Sequence, residues 1–575
     1  MLDAAKYNLS TVVNQNQFLD AVDLEVRSIV GRTLVAKRAL VPGESVLVEQ
    51  PLLQYFLQPS CRSSLSPYYT KAMWKQLNKY VVELDQDQSS PFVPGLPAAT
   101  LAYLQIDPPP LRQRIKRTPS VDHADLDFFY YPNLDMDHPT VQLIVGYCRN
   151  VTCEIALFQH VEAEQLATFL LKIYGNAHTV ALDRQSLARK GCATTHSAKK
   201  HRRSTTYADR YQSAPWPPSP LGPRPSIALM TWGSKFTHSC SPNLLLHFDN
   251  ASNTMTFTVT RPVTAGEVLT FSYLPENDDL GGLICGTTRD RRRKLNQFKF
   301  FDCGCDRCNA KDINGRCNCS TCDSDAVTSF NGLSGAWQCD RCGSTELPEF
   351  LLLDKGEAYA SSMVTALATK LRDPDQAGEV VTMIEPYLME DLIPTLPRTH
   401  WTFGYAQGLL AWYHLDLLPS TFGTGLASQL NATSSGLREA SVFLNDYLHD
   451  ALWSSNPLPV FMASWMVLSP VIQAVTRGTE EKQYRVQEKV LRQRSDSDDS
   501  SSDEDEAPEA PELLAPLVLP MPEEWQKDVL AIHHTVMNLW LPTVNAVFQQ
   551  PPALIADRIR QIQQWSLRIQ ESMAL

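Results

Sequence analysis

The segment FTHSCSPN, residues 236–243, places an imidazole and a thiol two residues apart, just before a Pro-Asn turn sequence. Sixty-three residues after Cys240 the chain continues with CGCDRC. This C-x-C-x-x-C unit consists of Cys303, Cys305 and Cys308. A structural zinc ion takes four tetrahedral ligands, and the unit supplies only three. Cys240 is a candidate for the fourth ligand, although spacing alone also fits a buried thiol without metal.

A second group of cysteines follows, with the spacing of a zinc ribbon. Two C-x-x-C units are separated by sixteen residues, and they consist of Cys319, Cys322, Cys339 and Cys342. Paired units at this separation are typical of a four-cysteine zinc site. Because four thiolates leave no open coordination position, both predicted zinc sites are structural rather than catalytic. Cys317 is then a spare cysteine.

The bulk composition excludes some classes of protein. The 575 residues include 51 Lys and Arg against 63 Asp and Glu, which gives a net charge of −12. A nucleic-acid binder would carry a basic face, so we predict no direct nucleic-acid binding, and a DNA-binding zinc protein is disfavoured. Nine of the fourteen cysteines lie at Cys240 or from Cys303 to Cys342, and the start MLDAAKYNLS does not resemble a signal peptide. This pattern predicts metal-bound thiolates in a reducing compartment, cytoplasmic and/or nuclear.

Alternating apolar and polar residues predict β-strands in the N-terminal half of the chain. One strand-rich region covers residues 22–55, with Pro42-Gly43 as a turn, and another runs from SIALMTWGSKF to VLTFSYL, residues 226–274. Between them, EAEQLATFLLKIYGNAH at 162–178 has apolar residues at helical spacing. Residues 183–226 are polar, basic and rich in proline, which predicts a disordered loop.

After residue 345 the sequence predicts helices. Five stretches carry amphipathic stripes, as stacked helix pairs do, although they show no clean repeat period. These stretches are residues 357–371, 401–418, 437–452, 527–541 and 556–570.

Two further segments of this half have a distinct composition. LPVFMASWMVLSPVIQAV, residues 458–475, is about long enough to cross a membrane, but Pro470, Ser464 and Gln473 interrupt it. We therefore predict a buried helix pair rather than a membrane span. Residues 494–512 hold nine acidic residues and five serines, which predicts a disordered acidic loop. Phosphorylation by an acid-directed kinase and docking of a basic partner are alternative roles for this loop.

Four blocks of sequence, taken in order, resemble the SET-domain protein methyltransferases. The blocks are VGRTLVAKRALVPGE (30–44), FTHSCSPN (236–243), AGEVLTFSYL (265–274) and FFDCGCDRC (300–308). The resemblance is strongest to the SMYD group, especially its arthropod SmydA-type members, and it covers residues 22–56 and 160–345 best. In that family the cysteine of the second block shares a zinc ion with the three cysteines of the fourth. The resemblance therefore favours Cys240 as a zinc ligand.

The resemblance also implies which residues surround S-adenosylmethionine and the reacting groups. Tyr273 stands at the position of the family's catalytic tyrosine. The residues implied to contact the cofactor are Gly31, Arg32, Asn176, Thr237, His238 and Phe301, the last matching an aromatic that stacks on adenine. Without the resemblance, packing would be the simpler role for Tyr273. Asn176 in YGNAH fits a helix C-terminal cap as well as a cofactor contact.

The sequence departs from the family pattern at several positions. Thr33 stands where many members have a second glycine, and Thr237 replaces the asparagine of the motif. Lys299 falls where active members often place a second tyrosine of the lysine channel. A cation there could repel the ammonium group of a substrate, unless it points outward. Residues 56–160 contain only three cysteines, too few for the MYND zinc finger expected in this part of the chain.

These observations predict an α+β protein. It consists of a SET β-fold with an inserted helical region, a cysteine-rich post-SET zinc module and an all-α, helical-repeat-like C-terminal domain. The predicted divisions are 1–56 and 161–302 for the two parts of the SET domain, 57–160 for the helical or irregular insertion, 303–345 for the zinc modules and 346–575 for the helical domain.

The predicted function is that of an S-adenosylmethionine-dependent protein-lysine N-methyltransferase with two structural zinc ions. Its substrate would be a lysine of a histone or another protein, and the chain is predicted to be a monomer without membrane partners. The alternative is a catalytically impaired SET-domain scaffold, in which Thr237 and Lys299 have abolished turnover and the helical half binds proteins.

Overall fold

The computed structural model describes residues 9–28, 31–57, 68–84, 95–109, 121, 123–182, 224–249, 252–274, 283–322, 326–345, 360, 364, 379, 396, 400–417, 426–453, 457–495, 521–548, 551 and 553–573. The chain divides into two compact units. The first is Met1–Leu347 with Val547–Gln549, and the second is Pro348–Ala546 with Gln550–Leu575.

Short strands in the first unit form where β-branched and aromatic residues are frequent. They are β1 (Val22–Arg27), β2 (Gly31–Ala36), β3 (Ser45–Glu49), β4 (Leu53–Phe56), β5 (Ala177–Leu182), β6 (Arg224–Leu229), β7 (Thr237–His238), β8 (Leu244–Asp249), β9 (Thr254–Val259), β10 (Thr270–Phe271), β11 (Cys317–Asn318), β12 (Val327–Asn331) and β13 (Ala336–Cys339). The two strand-rich regions predicted at 22–55 and 226–274 are confirmed. Gly43, in the predicted turn, and Gly266, in the turn before β10, have φ angles of +88° and +79°, which glycine adopts without strain.

These strands pair into several small sheets. β1 and β2 form an antiparallel hairpin. β9 lies between β3 and β8, and β6 lies between β4 and β5, with antiparallel pairing throughout. β7 and β10 pair in parallel, with Thr237 opposite Thr270 and His238 opposite Phe271. The parallel pair brings the segment 236–243 beside the strand that precedes Tyr273.

Helices occupy the insertion and the edges of this unit. They are α1 (Gln15–Ala21), α2 (Lys71–Leu84), α3 (Leu96–Tyr103), α4 (His123–Leu126), α5 (Pro139–Glu154), α6 (Ala163–Asn176), α7 (Thr288–Lys299) and α8 (Asp306–Asn309). α6 confirms the helix predicted at 162–178, except that Ala177 and His178 begin β5.

Two large hydrophobic cores lie among the described residues of the first unit. One joins α2, α3, α5 and α6 and includes Leu77, Leu101, Tyr147 and Leu170. The other lies among the strands and is rich in aromatic rings, with Phe18, Trp232, Phe236, Phe257 and Phe271 all buried. Rings in edge contact, such as Phe257 and Phe271 with centroids 5.4 Å apart, fix the strands that carry the residues predicted to be functional.

The described part of the second unit, from residue 400 onward, is helical. Its α-helices are α9 (Trp401–Trp412), α10 (Leu426–Ser441), α11 (Pro457–Ser495), α12 (Glu523–His534), α13 (Leu541–Val547) and α14 (Ala553–Met573), and π-helical turns extend α9, α10 and α12. The predicted helices at 437–452, 527–541 and 556–570 are confirmed as helical, and so is the one at 401–418 as far as residue 417. The one predicted at 357–371 lies outside the described residues, apart from Ala360 and Val364.

Two predictions for this unit are corrected. α9 is buried at every position except Gln407, so the amphipathic stripe predicted at 401–418 is wrong for this helix, which is surrounded by its neighbours. The apolar segment 458–475 is one continuous helix rather than a pair. Pro470 lies inside α11 and removes one backbone hydrogen bond, but the helix continues past it.

Among the described residues, one helical segment passes a length-and-composition test for a membrane span. It is Pro457–Thr476, and 61% of its most apolar window is buried inside the protein. Val460, Phe461 and Val467 are fully buried there. The core helix of a soluble protein passes the same test, so the segment is weak evidence for a membrane span.

The two predicted loops are partly ordered at their ends. Residues 224–226 of the loop predicted at 183–226 belong to β6, because the backbone at Ser226 pairs with both Phe56 and Val180. Residues 494 and 495 of the loop predicted at 494–512 form the end of α11. The remainder of both loops lies outside the described residues.

The carboxylate of Glu49, at the end of β3, fixes the chain just before the segment 236–243. It is fully buried and accepts hydrogen bonds from the backbone N–H of Trp232 at 3.0 Å and of Gly233 at 2.9 Å. The Thr11 hydroxyl donates to the same carboxylate at 3.3 Å. Burial raises the pKa of Glu49 to about 7.

We expect Glu49→Ala to lower the free energy of unfolding by about 3 kcal/mol, because two buried N–H groups lose their acceptor. Urea denaturation followed by circular dichroism measures the change. Glu25→Ala is the matched control, since Glu25 is 44% exposed in an ion pair with Arg27, and a change within about 0.5 kcal/mol is expected there. Equal effects of the two substitutions would contradict the stabilising role of Glu49.

Candidate functional site

Backbone hydrogen bonds hold the segment 236–243 against two other strands. The N–H of Thr237 donates to the carbonyl of Leu269 at 3.1 Å, and the N–H of Leu269 donates to the carbonyl of Leu34 in β2 at 3.0 Å. Leu269 thus joins β2 to β7, and it directly precedes β10. Three segments that are distant in sequence therefore meet at one place.

His238 lies between the backbone of Tyr273 and the thiol of Cys240. The N–H of Tyr273 donates to His238 Nδ1 at 3.0 Å. Because Nδ1 accepts, the neutral ring carries its proton on Nε2, which lies 3.2 Å from Cys240 Sγ and donates to it. Burial lowers the pKa of His238 to about 3, which keeps the ring neutral at pH 7.

The phenol of Tyr273 is fixed by its own hydrogen bond and by two rings. Its hydroxyl donates to the carbonyl of Phe236 at 2.7 Å. Its ring centroid lies 5.2 Å from that of His238 and 6.2 Å from that of Phe301, the latter in an edge contact. Burial raises the pKa of Tyr273 above its usual value, so the hydroxyl stays protonated at neutral pH.

β2 carries the first residues of the predicted cofactor loop. Gly31 has a φ angle of +68°, and no atom lies within 4 Å of where a Cβ would be. The guanidinium carbon of Arg32 lies 5.0 Å from the centre of the Phe128 ring. The hydroxyl of Thr33 contacts the hydroxyl of Thr237, so two residues that depart from the family pattern bond to each other.

Lys235 is a candidate site residue that the sequence analysis missed. It is only 4% exposed, and its ammonium lies 4.4 Å from the Phe128 ring centre and 5.2 Å from that of Phe129. Burial, and to a smaller extent the nearby Arg32, lower the pKa of Lys235 to about 7. The signal in the sequence was a lysine inside the otherwise uncharged, mostly apolar run SIALMTWGSKF.

Asn176 ends α6, and its amide bonds to the backbone. Nδ2 donates to the carbonyls of Tyr130 and Lys172, both at 2.7 Å, and Oδ1 accepts from the N–H of Tyr130 at 3.4 Å. This arrangement agrees with the helix-terminal role that the sequence analysis left open. Contact of Asn176 with a cofactor stays a prediction.

Lys299, the last residue of α7, points inward. Its Nζ donates to the carbonyls of Tyr174 at 2.9 Å and Ala177 at 3.3 Å, at the carboxyl end of α6, where a helix favours a cation. The ammonium lies 5.4 Å from the centre of the Tyr273 ring. Burial lowers the pKa of Lys299 to about 8, so most of this side chain is charged at pH 7.

The first cysteine cluster, Cys240 with Cys303, Cys305 and Cys308, brings its four sulfur atoms within 4.8 Å of one another. The sulfurs of Cys240 and Cys308 are 3.5 Å apart, and the N–H of Cys240 donates to Cys305 Sγ at 3.4 Å. Four Zn–S bonds of about 2.3 Å in a tetrahedron place the sulfurs about 3.8 Å apart. The cluster therefore has the spacing to hold one metal ion.

The second cysteine cluster, Cys319 with Cys322, Cys339 and Cys342, lies beside the small sheet of β11, β12 and β13. Its sulfurs approach to 3.8 Å in two pairs, Cys319 with Cys342 and Cys322 with Cys339. Backbone N–H groups of two turn residues donate to Cys319 and Cys339 at 3.4 Å, as they do in zinc knuckles. This cluster too could hold one metal ion.

Most of the residues predicted for the site are connected by contacts, directly or through a neighbour, but Asn176 is not. One connected group comprises Tyr273, Thr237, His238, Phe301 and Cys240. Gly31 and Arg32 join it through the contact between Thr33 and Thr237. Asn176 contacts the backbone of Tyr130 and Lys172 instead.

Comparison with known proteins assigns a domain to the part of this group that lies before residue 275. Residues 31–274 match the family model described as SET domain. The chain is 35% identical over 85 residues to a SET domain-containing protein of Acanthamoeba polyphaga mimivirus, and 34% identical over 83 residues to a SET and MYND domain-containing protein of Dictyostelium discoideum. These alignments cover 15% and 14% of this chain, and only 29% and 19% of the two relatives. The chain therefore contains a SET domain, while the SMYD subfamily is not shown.

Two solved structures were also matched. One is the SET domain of LSMT bound to lysine and AdoHcy, with 11% identity, coverage of 80% of this chain and 89% of that chain, and a TM-score of 0.23. The other is Rubisco LSMT bound to AdoMet, with 12% identity, coverage of 79% and 88%, and a TM-score of 0.23. At TM-scores this low, the likeness establishes neither a shared fold nor a shared activity.

We expect Cys240→Ser to reduce the metal content of the purified chain by one ion, because the first cysteine cluster loses one of four ligands. Cys319→Ser should remove one ion from the second cluster. Inductively coupled plasma mass spectrometry measures both losses. Cys153→Ser is the control, since this cysteine is exposed and belongs to neither cluster. Retention of the full metal content by Cys240→Ser would show that Cys240 is not a ligand.

Proposed function

We propose that this chain is an S-adenosylmethionine-dependent protein-lysine N-methyltransferase of the SMYD-like type, without a MYND finger. The observation that carries the proposal is the contact of His238 with Tyr273 inside a matched SET domain, at the place where three distant strands meet. The proposed partner is a substrate protein with a target lysine. The proposed location of the chain is cytoplasmic and/or nuclear.

Tyr273 is the proposed catalytic residue. Bound S-adenosylmethionine would supply an electrophilic methyl group. Because the phenol stays protonated and donates to the Phe236 carbonyl, its oxygen remains free to accept. Two oxygen dipoles, the phenol and this carbonyl, can then orient an incoming amine and favour the positive charge of a transferring methyl group. The phenol is partly buried, which limits its contact with water and strengthens these interactions.

The proposed cofactor site uses the groups around Tyr273. Arg32 and Lys235 both lie on the Phe128 ring, and together they supply positive charge for the carboxylate of the cofactor's amino-acid end. The rings of His238 and Phe301, with centroids 6.0 Å apart, offer surfaces for adenine. Gly31 lets the backbone approach closely.

The two cysteine clusters are proposed to hold zinc as structural sites. All-thiolate clusters with sulfur separations near 3.5 and 3.8 Å suit tetrahedral zinc, and four thiolates leave no position for a substrate. In the first cluster, the ion would tie Cys240 to the segment 303–308, so that metal binding contributes directly to folding of the SET domain.

A catalytically impaired scaffold is the second candidate, and the position of Lys299 favours it. The ammonium is anchored beside Tyr273 rather than turned outward, so it faces the region that a substrate ammonium would enter. Calorimetric titration with S-adenosylmethionine and methyl transfer from the radiolabelled donor separate the two candidates. A chain that binds neither the cofactor nor its demethylated product is a scaffold.

We expect Tyr273→Phe to lower methyl transfer at least about 100-fold, because the phenol oxygen is lost from the reacting centre. Cofactor affinity should change less than about threefold, since the ring remains. Radiolabel transfer and calorimetry measure the two quantities. Tyr447→Phe, which removes a hydroxyl in the second unit, is the control and should leave both unchanged. Full activity in Tyr273→Phe would refute the proposed role.

Two charges about 7 Å apart repel by about 2 kcal/mol at an effective dielectric constant of 20, which is about 30-fold in rate. About a tenth of wild-type Lys299 is uncharged at pH 7, so we expect Lys299→Met to raise kcat/KM for a lysine peptide about tenfold at that pH. The ratio of variant to wild type should fall towards one at pH 9, since wild-type Lys299 loses its proton as pH rises through its pKa of about 8. Taking the ratio cancels the titration of the substrate.

Lys311→Met is the control for this pH series. Lys311 pairs with Asp340 and is 47% exposed, so its removal should give a ratio near one at every pH. A ratio for Lys299→Met that stays constant from pH 7 to pH 9 would show that the charge of Lys299 does not oppose the substrate.

A further inference from the structure

Three arginines surround the first cysteine cluster, and one of them reaches a ligand sulfur. Arg291 is 1% exposed, and its Nη2 donates to Cys308 Sγ at 3.7 Å. Arg292 and Arg307 instead donate to backbone carbonyl oxygens of the cluster, at 2.8 and 3.2 Å. The three side chains therefore have different partners, and Arg291 is the one in contact with the thiol group itself.

The guanidinium of Arg291 is held rigidly. It lies in the first turn of α7, where Nη1 donates to the carbonyl of Gly286 at 2.5 Å and Nη2 donates to Thr288 Oγ1 at 3.0 Å. Among the described residues it forms no ion pair with a carboxylate. Asp312 attracts it from a longer distance, and one Asp312 oxygen accepts from the N–H of Thr288 at 2.6 Å.

The position of Arg291 beside the cluster is explained by the charges of the two groups. Four thiolates around Zn²⁺ carry two net negative charges, and the first cysteine cluster is largely buried. A buried charge is costly unless an opposite charge compensates it. The same cost applies to the guanidinium of Arg291, which has neither solvent nor a paired carboxylate to stabilise it. The negative charge of the zinc-bound cluster and the positive charge of Arg291 therefore compensate each other.

We propose that Arg291 is the fixed counter-charge of the first cysteine cluster and that, through α7, it couples this cluster to the pocket of Tyr273. The inference rests on the proposed zinc occupancy, and it assigns to Arg291 a positioning role rather than a catalytic one.

The helix α7 provides the coupling. It has 12 residues, and a helix of this length spans about 18 Å. Arg291 anchors its first turn to the cluster, and Lys299 anchors its last turn to the carbonyls of α6 beside the Tyr273 ring. Phe300 ends the helix in a left-handed conformation with φ +63°, and it places Phe301 against Tyr273. A shift of the first turn of α7 is therefore transmitted to Lys299 in its last turn and to Phe301 just after it.

The test compares three variants with wild type, each purified as the full chain with its metal. Arg291→Met removes the charge and keeps much of the volume, whereas Arg291→Lys keeps the charge without the planar fork. Arg293→Met is the matched control on the same helix, because Arg293 is 66% exposed and pairs with Asp290 at 2.7 Å. Metal content is measured first, and the release of zinc to a chromogenic chelator is then followed in time.

We expect Arg291→Met to release one of two zinc ions at least about tenfold faster than wild type, because loss of an outer partner of a metal ligand weakens metal binding by about 10- to 100-fold. The other ion, in the second cysteine cluster, should leave at the wild-type rate and serves as an internal reference. Arg291→Lys should be intermediate, and Arg293→Met should match wild type. If Arg291→Met released both zinc ions at the wild-type rate, the proposed role of Arg291 as counter-charge would be wrong.

Hydrogen–deuterium exchange of the same samples tests the coupling. We expect faster exchange in Arg291→Met at the C-terminal end of α7 and at residues 270–274, and no change in Arg293→Met. Faster zinc release without faster exchange would overturn the coupling. If Arg291→Met does not fold, the zinc-release rate and the exchange of Arg291→Lys decide both points. A wild-type chain without zinc would instead refute the zinc proposal on which this inference rests.

Discussion

The architecture of the site depends on the two hydrogen bonds of the His238 imidazole. A neutral imidazole has one donor and one acceptor, and this ring uses the acceptor for the N–H of Tyr273 and the donor for the sulfur of Cys240. A proton added to Nδ1 would remove the first bond, so burial of the ring, which keeps it neutral, is part of the same constraint. The first cysteine cluster and the backbone of Tyr273 are thereby linked through a single side chain.

Sequence reasoning predicted those features that follow from local pattern or from ligand number. Strands at 22–55 and 226–274 follow from alternation, and the association of Cys240 with the segment 303–308 follows from the four ligands that zinc requires. The burial of Lys235 and of all sides of α9 did not follow, because both depend on neighbours contributed by distant parts of the chain. Periodicity describes one element at a time and carries no information about its surroundings.

The departures from the family pattern acquire a different meaning in three dimensions. Taken singly, Thr33 and Thr237 are a lost glycine and a lost amide, yet their hydroxyl groups contact each other and link β2 to β7. Lys299 is likewise not an isolated charge in an apolar channel, because the carbonyls at the end of α6 receive its ammonium. Each substitution has a partner that no single position in the sequence reveals, so a departure from a motif is not in itself evidence of lost function.

The contact between Thr33 and Thr237 joins residues 204 positions apart, so the two residues are synthesised at different times. A ribosome that adds about 5–20 residues per second needs about 10–40 s to synthesise the intervening chain. For that time Leu34, Val35 and Ala36, which are buried in the finished protein, can pair with β1 but lack their backbone partners at residues 266–269. One edge of the hairpin of β1 and β2 therefore stays unpaired until residues 266–269 have been made, whatever stability the finished domain attains.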